Sequence, residues 1–149
     1  MSNYEALIQR IESQDKKIET LQYEILTLKD HITRLSICKL TDSRYPLQNL
    51  IVDARITAEQ KSNLDLLFLI MSDIFKRKNI NPQYLKAIES LDVASIFSDG
   101  DILYNEVIKH LMRILDAPTE DLPLEMLEKM NEEGSCVELC QYLLSQAKK

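Results

Sequence analysis

At 149 residues, 45% hydrophobic and 28% charged, the chain is long enough for one compact domain with its own core plus one extended helix. Two glycines, four prolines and 6% aromatic residues speak against a loop-rich or β-rich chain, so the expected class is all-α. A formal net charge of −6 repels phosphate and anionic lipid, which disfavours nucleic acid as a direct partner.

The first element is the longest. From Tyr4 to Leu35 there is no Gly or Pro, and apolar residues recur at every seventh position. Tyr4, Ile11, Ile18, Ile25 and Ile32 take the a positions of a heptad, and Leu7, Gln14, Leu21, Leu28 and Leu35 take the d positions, with only Gln14 polar. That pattern is a coiled-coil seam. A helix of this length measures about 50 Å at ~1.5 Å per residue, whereas the remaining residues would make a body roughly 34 Å across. One end must overhang. Each buried Leu or Ile is worth ~1.5–3 kcal/mol, so the exposed part calls for a second copy of the chain. The alternative is a spine packed by its own chain within a bundle.

β-branched Ile at a with Leu at d favours a parallel dimer. In that arrangement Arg10 meets Asp15 of the second chain and Glu24 meets Lys29, while Lys17 meets the neutral Gln22. An antiparallel pair would bring Arg10 to Glu24 but set Lys17 against its own copy. Gln14 costs stability at a d position and can fix register through a contact with its counterpart.

The N-terminal segment lacks the apolar run of a signal peptide, and the most apolar stretch, Leu66 to Met71, is too short to cross a bilayer. Cys38, Cys136 and Cys140 form no disulfide framework, so the expected location is a reducing cytoplasm. The expected organisation is a coiled-coil oligomerisation helix over 1–39, a helical domain over 40–116, and a linker with a C-terminal helical hairpin over 117–149.

The heptad fades after Leu35, and Pro46 biases Tyr45 away from helix, which places a turn over Thr41 to Pro46. Leu47 to Asp53 reads as a short helix. Thr57 and Gln60 form a capping box that opens a helix from Ala58 to about Lys78. Its middle, Leu64 to Phe75, is apolar on almost every side and belongs at the centre of the domain. The cluster Lys76-Arg77-Lys78 suits a helix C-terminus better than a phosphate site. Asn81 and Pro82 start the next helix, with Tyr84, Leu85, Ile88 and Leu91 as its apolar stripe.

The run Ser43-Arg44-Tyr45-Pro46-Leu47, followed by Leu50-Ile51-Val52-Asp53 and the helix start Thr57-Ala58-Glu59, resembles the YhaI-like family of small helical bacillary proteins. Members of that family place an Arg-Tyr-Pro-Phe turn after a heptad-like helix, then a Leu-Ile-Asp run and a Ser/Thr-capped helix. Leu47 stands where the family has an aromatic residue. With Leu91-Asp92-Val93 and Leu103 to Ile108, the likeness extends over about residues 43–115. It implies a compact all-α fold and no activity, because the family's function is unassigned.

Arg44 and Tyr45 are candidate partner-binding residues, since both types are enriched at interface hot spots. Their structural alternative packs Tyr45 under the turn and pairs Arg44 with Asp42 or Asp53. With Gly100 as the sixth residue of a calcium loop, Asp99, Asp101 and Glu106 fall on ligand positions, but Ser95 and Phe97 replace two carboxylates. A helical corner turned by Asp99 and Gly100 is the expected reading, leading into a helix that ends at Leu115. That helix turns Leu103, Val107, Leu111, Ile114 and Leu115 to the core, with His110 on the outer side. His110 has no ligand partner at i±4 and His31 is a g residue, so no metal, cofactor or nucleophile–base pair is expected.

Ala117 to Pro123 is the expected linker. Beyond it, Leu124 to Glu133 is stopped by Gly134, and a Ser135–Glu138 capping box opens a last helix to Ala147. Cys136 and Cys140 read as core or half-buried thiols. Two functional classes follow: a non-enzymatic protein–protein interaction module that self-associates and acts as adaptor, inhibitor or regulatory subunit, or a dimeric transcriptional regulator, which retention on heparin would betray.

Overall fold

The computed structural model describes residues 2–38, 42–77, 79–97 and 101–148, with residues 37, 38 and 77 described by backbone alone. All regular structure among them is helical. The chain divides into two compact units, Met1–Leu40 and Thr41–Lys149. The turn expected at Asp99 and Gly100, the residue Lys78 and the Cys38 thiol lie outside the described residues.

The first unit is one helix, α1 (Asn3–Cys38). Ser2 and Glu5 open it reciprocally: the Glu5 N–H donates to Ser2 Oγ at 3.1 Å and the Ser2 N–H to Glu5 Oε2 at 3.2 Å. Hydroxyls that would otherwise compete with the helix are absorbed by it, since Thr20, Thr27, Thr33 and Ser36 each donate to the carbonyl four residues back. Nothing in the sequence interrupts the ladder, and none of the apolar residues from Tyr4 to Leu35 is buried.

In the second unit, α2 (Pro46–Asp53) and α3 (Ala58–Arg77) follow the turn. The Thr57–Gln60 capping box is present in both directions, at 2.9 and 3.1 Å. Asn81 caps a 3-10 turn over Pro82–Tyr84, its Oδ1 accepting the Gln83 N–H at 3.1 Å, and α4 (Leu85–Leu91) continues from it. Next come α5 (Tyr104–Leu115), α6 (Asp121–Glu133) and α7 (Val137–Ala147). Helix α6 begins three residues before the expected Leu124, because Pro123 lies in the first turn, where its missing N–H has no intrahelical acceptor to lose.

Helices α4, α5 and α6 all end on a left-handed residue: Asp92, Asp116 and Gly134. In each case the N–H of the following residue reaches back to close the last turn, as Ser135 does to the Met130 carbonyl at 2.8 Å. A Cβ at Gly134 would meet nothing within 4 Å, so its φ of +89° is what calls for glycine. The expected Ser135–Glu138 box is not formed. Cys136 occupies the N-cap of α7 at a φ of 49° and gives no side-chain cap, because the tight exit from α6 leaves no extended residue to serve as one.

One core joins the helices α2 to α7. Helix α3 supplies its centre with Leu64, Leu67, Phe68, Ile70, Met71 and Ile74 buried. It is not covered all round, since Leu69 remains 56% exposed. Helix α5 adds Val107, Ile108, Leu111 and Leu115, and the α6–α7 hairpin adds Met126, Leu127, Leu139 and Leu143. Two residues assigned to apolar stripes stand outside the core. Leu103 precedes the first turn of α5 and is 41% exposed, and Leu85 falls on the outer face of α4. Phe97 points inward, as expected.

Candidate functional site

Three places in the two units carry specific chemistry, two of them exposed and one buried. Along α1 the ten seam positions, Tyr4, Leu7, Ile11, Gln14, Ile18, Leu21, Ile25, Leu28, Ile32 and Leu35, are all exposed. Among the nine apolar ones exposure runs from 48% at Ile11 to 72% at Tyr4. Monomeric proteins rarely leave contiguous apolar strips of this length in water.

The second place is the turn before α2. Asp42 organises it, its Oδ1 accepting the Arg44 N–H at 3.0 Å and its Oδ2 accepting Arg44 Nη2 at 2.9 Å. That carboxylate raises the Arg44 guanidinium further above its ordinary value. The guanidinium lies 5.6 Å from the centre of the Tyr45 ring, within cation–π range. Tyr45 does not pack under the turn: it is 48% exposed. Arg44 and Tyr45 are thus stacked on each other, braced by Asp42 and presented outward.

Beside this turn runs a groove of about 580 Å³ between α2 and α6. Pro46, Asn49, Leu50, Asp53 and Ala54 form one wall at helical spacing, and Leu122, Glu125, Lys129 and Glu132 form the other. The helices are held together at one end by Glu133, whose Oε2 accepts the Leu47 N–H at 2.9 Å and whose Oε1 accepts Gln48 Nε2 at 3.1 Å. Sequence reasoning missed this groove. The polar residues of α2 recur at the spacing of its apolar ones, which marks a second face, but nothing in the pattern says that α6 lies opposite.

The third place corrects an expectation. His110 is not on the outer side of α5 but is 7% exposed, held between Ser95 Oγ at 2.6 Å from Nε2 and Arg113 Nη2 at 3.1 Å from Nδ1. Arginine can only donate, so Nδ1 accepts, the ring proton sits on Nε2, and Ser95 Oγ receives it. A general base for a serine needs the opposite tautomer. Burial pushes the His110 pKa down, with Arg113 acting in the same direction and Glu106 against it. Arg113 also donates to the Leu91 carbonyl at 2.7 Å and so ties α5 to the end of α4. The cluster is a brace between elements. His110 escaped the sequence reading because it sits at the edge of a stripe read from the strongest apolar residues alone.

Cys140 is fully buried and Cys136 is half-buried. Burial, with Cys136 close by, pushes the Cys140 thiol up to about 12, which removes it as a nucleophile near neutral pH. No group of three or more His, Cys, Asp or Glu among the described residues is placed to hold a metal ion, and no helix among them is long and apolar enough to cross a membrane. Neither a family model, nor a curated protein, nor a solved structure matches the chain.

Proposed function

We propose that this chain is a non-enzymatic protein–protein interaction module, a homo-oligomer, preferably a dimer, assembled through α1 and acting in the cytoplasm as an adaptor, inhibitor or regulatory subunit. The single observation that carries the reading is the uninterrupted helix Asn3–Cys38 with every seam residue exposed. A second copy is the occupant that fits this seam. Its heptad spacing matches its own, and the parallel pairing sets Arg10 against Asp15 and Glu24 against Lys29 with no repulsive contact.

The helical body supplies the recognition surface in this proposal, through the Arg44–Tyr45 turn and the groove beside it. Its chemistry suits a protein better than a nucleic acid, because the groove carries three carboxylates and one ammonium. The likeness of residues 43–115 to the YhaI-like family belongs to the same proposal and brings no activity with it.

Light scattering tests the assembly. The full chain is expected at twice the mass of one chain or more. Ile18→Asp with Ile25→Asp should reduce it to a single chain while leaving the cooperative melt of the body in place. A wild-type chain that scatters as a monomer at micromolar concentration overturns the proposal.

A further inference from the structure

The groove between α2 and α6 is lined by apolar residues and by acids from both helices. Leu50, Ala54 and Leu122 are buried or half-buried, whereas Asp53 on α2 and Glu125 on α6 are exposed and make no hydrogen bond or ion pair among the described residues. Among the described residues that line it, the one cation, Lys129, lies 3.6 Å from Glu132 and is already engaged. Two unengaged carboxylates, one from each helix, therefore line the groove together with these apolar residues. The α2 wall runs for eight residues, about 12 Å at ~1.5 Å per residue, and its lining positions recur every third or fourth residue. That matches two turns of a guest helix laid along it.

Resting on the reading of the chain as a protein-binding module, we propose that this groove docks a basic amphipathic helical segment of a partner protein. The guest's apolar stripe covers Leu50, Ala54 and Leu122 while Lys or Arg on either flank meets Asp53 and Glu125. Electrostatic complementarity selects such a guest. The groove charges attract cations, and the chain's net charge of −6 speeds the approach of a basic segment and opposes an acidic one. Helix-in-groove recognition needs this combination of apolar and charged lining.

The test uses fluorescence anisotropy of the full chain with two labelled helical peptides. One carries Leu at i, i+3, i+4 and i+7 with Lys elsewhere, and the other has Glu in place of every Lys. The lysine peptide should bind and the glutamate peptide should not. Asp53→Lys with Glu125→Lys should weaken binding by about tenfold or more, while Glu59→Lys with Glu89→Lys, the same change in net charge elsewhere on the surface, should leave it within about twofold. Equal weakening by both pairs, equal binding of both peptides, or no binding of the lysine peptide overturns the assignment. Light scattering of the same samples keeps the two ideas apart. An oligomer that ignores the lysine peptide refutes the groove and leaves the assembly standing, whereas a monomer that binds it through Asp53 and Glu125 does the reverse.

Discussion

Glu133, the last residue of α6, caps the first turn of α2: its Oε2 accepts the Leu47 N–H at 2.9 Å across a sequence separation of 86 residues. The cap is needed because Tyr45, the N-cap residue of α2, gives no side-chain bond to the exposed N–H groups behind it. The arrangement has a counterpart at α5, where Leu103 cannot cap and Gln146 of α7 accepts the Tyr104 N–H at 2.8 Å. Both caps come from the C-terminal hairpin. Glu133→Ala should therefore cost about 1–2 kcal/mol in urea unfolding, and Glu133→Gln, which keeps an acceptor but loses the charge facing the helix dipole, about half as much. An alanine variant as stable as the parent would mean that water replaces the carboxylate at no cost.

Neighbouring residues of α3 offer a sharper comparison. Phe68 is 3% exposed and Leu69 is 56% exposed, so the same kind of truncation should have consequences of very different size. Phe68→Ala leaves a cavity at the centre of the core and should cost about 3–5 kcal/mol. Leu69→Ala should change stability by less than about 0.5 kcal/mol. Comparable losses at both positions in chemical denaturation would show that Leu69 is covered in solution, most simply by another molecule.

The sequence carried what is local. The heptad run predicts α1, the Thr57–Gln60 pair marks the start of α3 to the residue, and Gly134 marks the end of α6, because each signal is a contact between residues a few positions apart. What it did not carry is pairing between distant elements. Glu133 reads as a helix-end acid until α2 is known to lie beside it, and Asp53, Glu125 and Glu132 become one groove only when α2 and α6 pack. His110 illustrates the same limit. Its partners Ser95 and Arg113 come from two different elements, and only their convergence explains a polar ring in an apolar face. Leu69, Leu85 and Leu103 err in the opposite sense, since helical spacing assigns a face but not where that face stops.

Gln14 makes a testable compromise within the assembly proposed for α1. A glutamine at a d position gives up the burial that a leucine would contribute and restricts the pair to the register in which the two amides meet. Gln14→Leu should therefore raise the melting transition of the assembly, by about 2 kcal/mol per dimer, and broaden its mass distribution in sedimentation velocity as other registers and orders become accessible. A variant with unchanged melting and unchanged mass would place Gln14 outside the contact layer.

His110 should make the body less stable as the solution is acidified. Its folded pKa is lowered from the ordinary 6.5, first by burial, then by the Arg113 charge, with Lys109 adding to the shift and Glu106 and Asp92 opposing it. The unfolded chain therefore binds the proton more readily than the folded one. The neutral ring's advantage is fully present above the ordinary histidine range, is lost as pH falls through 6.5, and stops falling once pH lies below the lowered folded value. Urea midpoints of the parent should decline between about pH 7.5 and 5.5, and His110→Gln, which cannot ionise, should remove that part of the decline while leaving the carboxylate-driven loss at lower pH. Arg113→Met should reduce the slope in part, because it removes the second-largest cause and leaves burial and the Lys109 charge in place. A His110 ring that titrates by NMR at or above 6.5 would contradict the buried, Arg113-bound geometry.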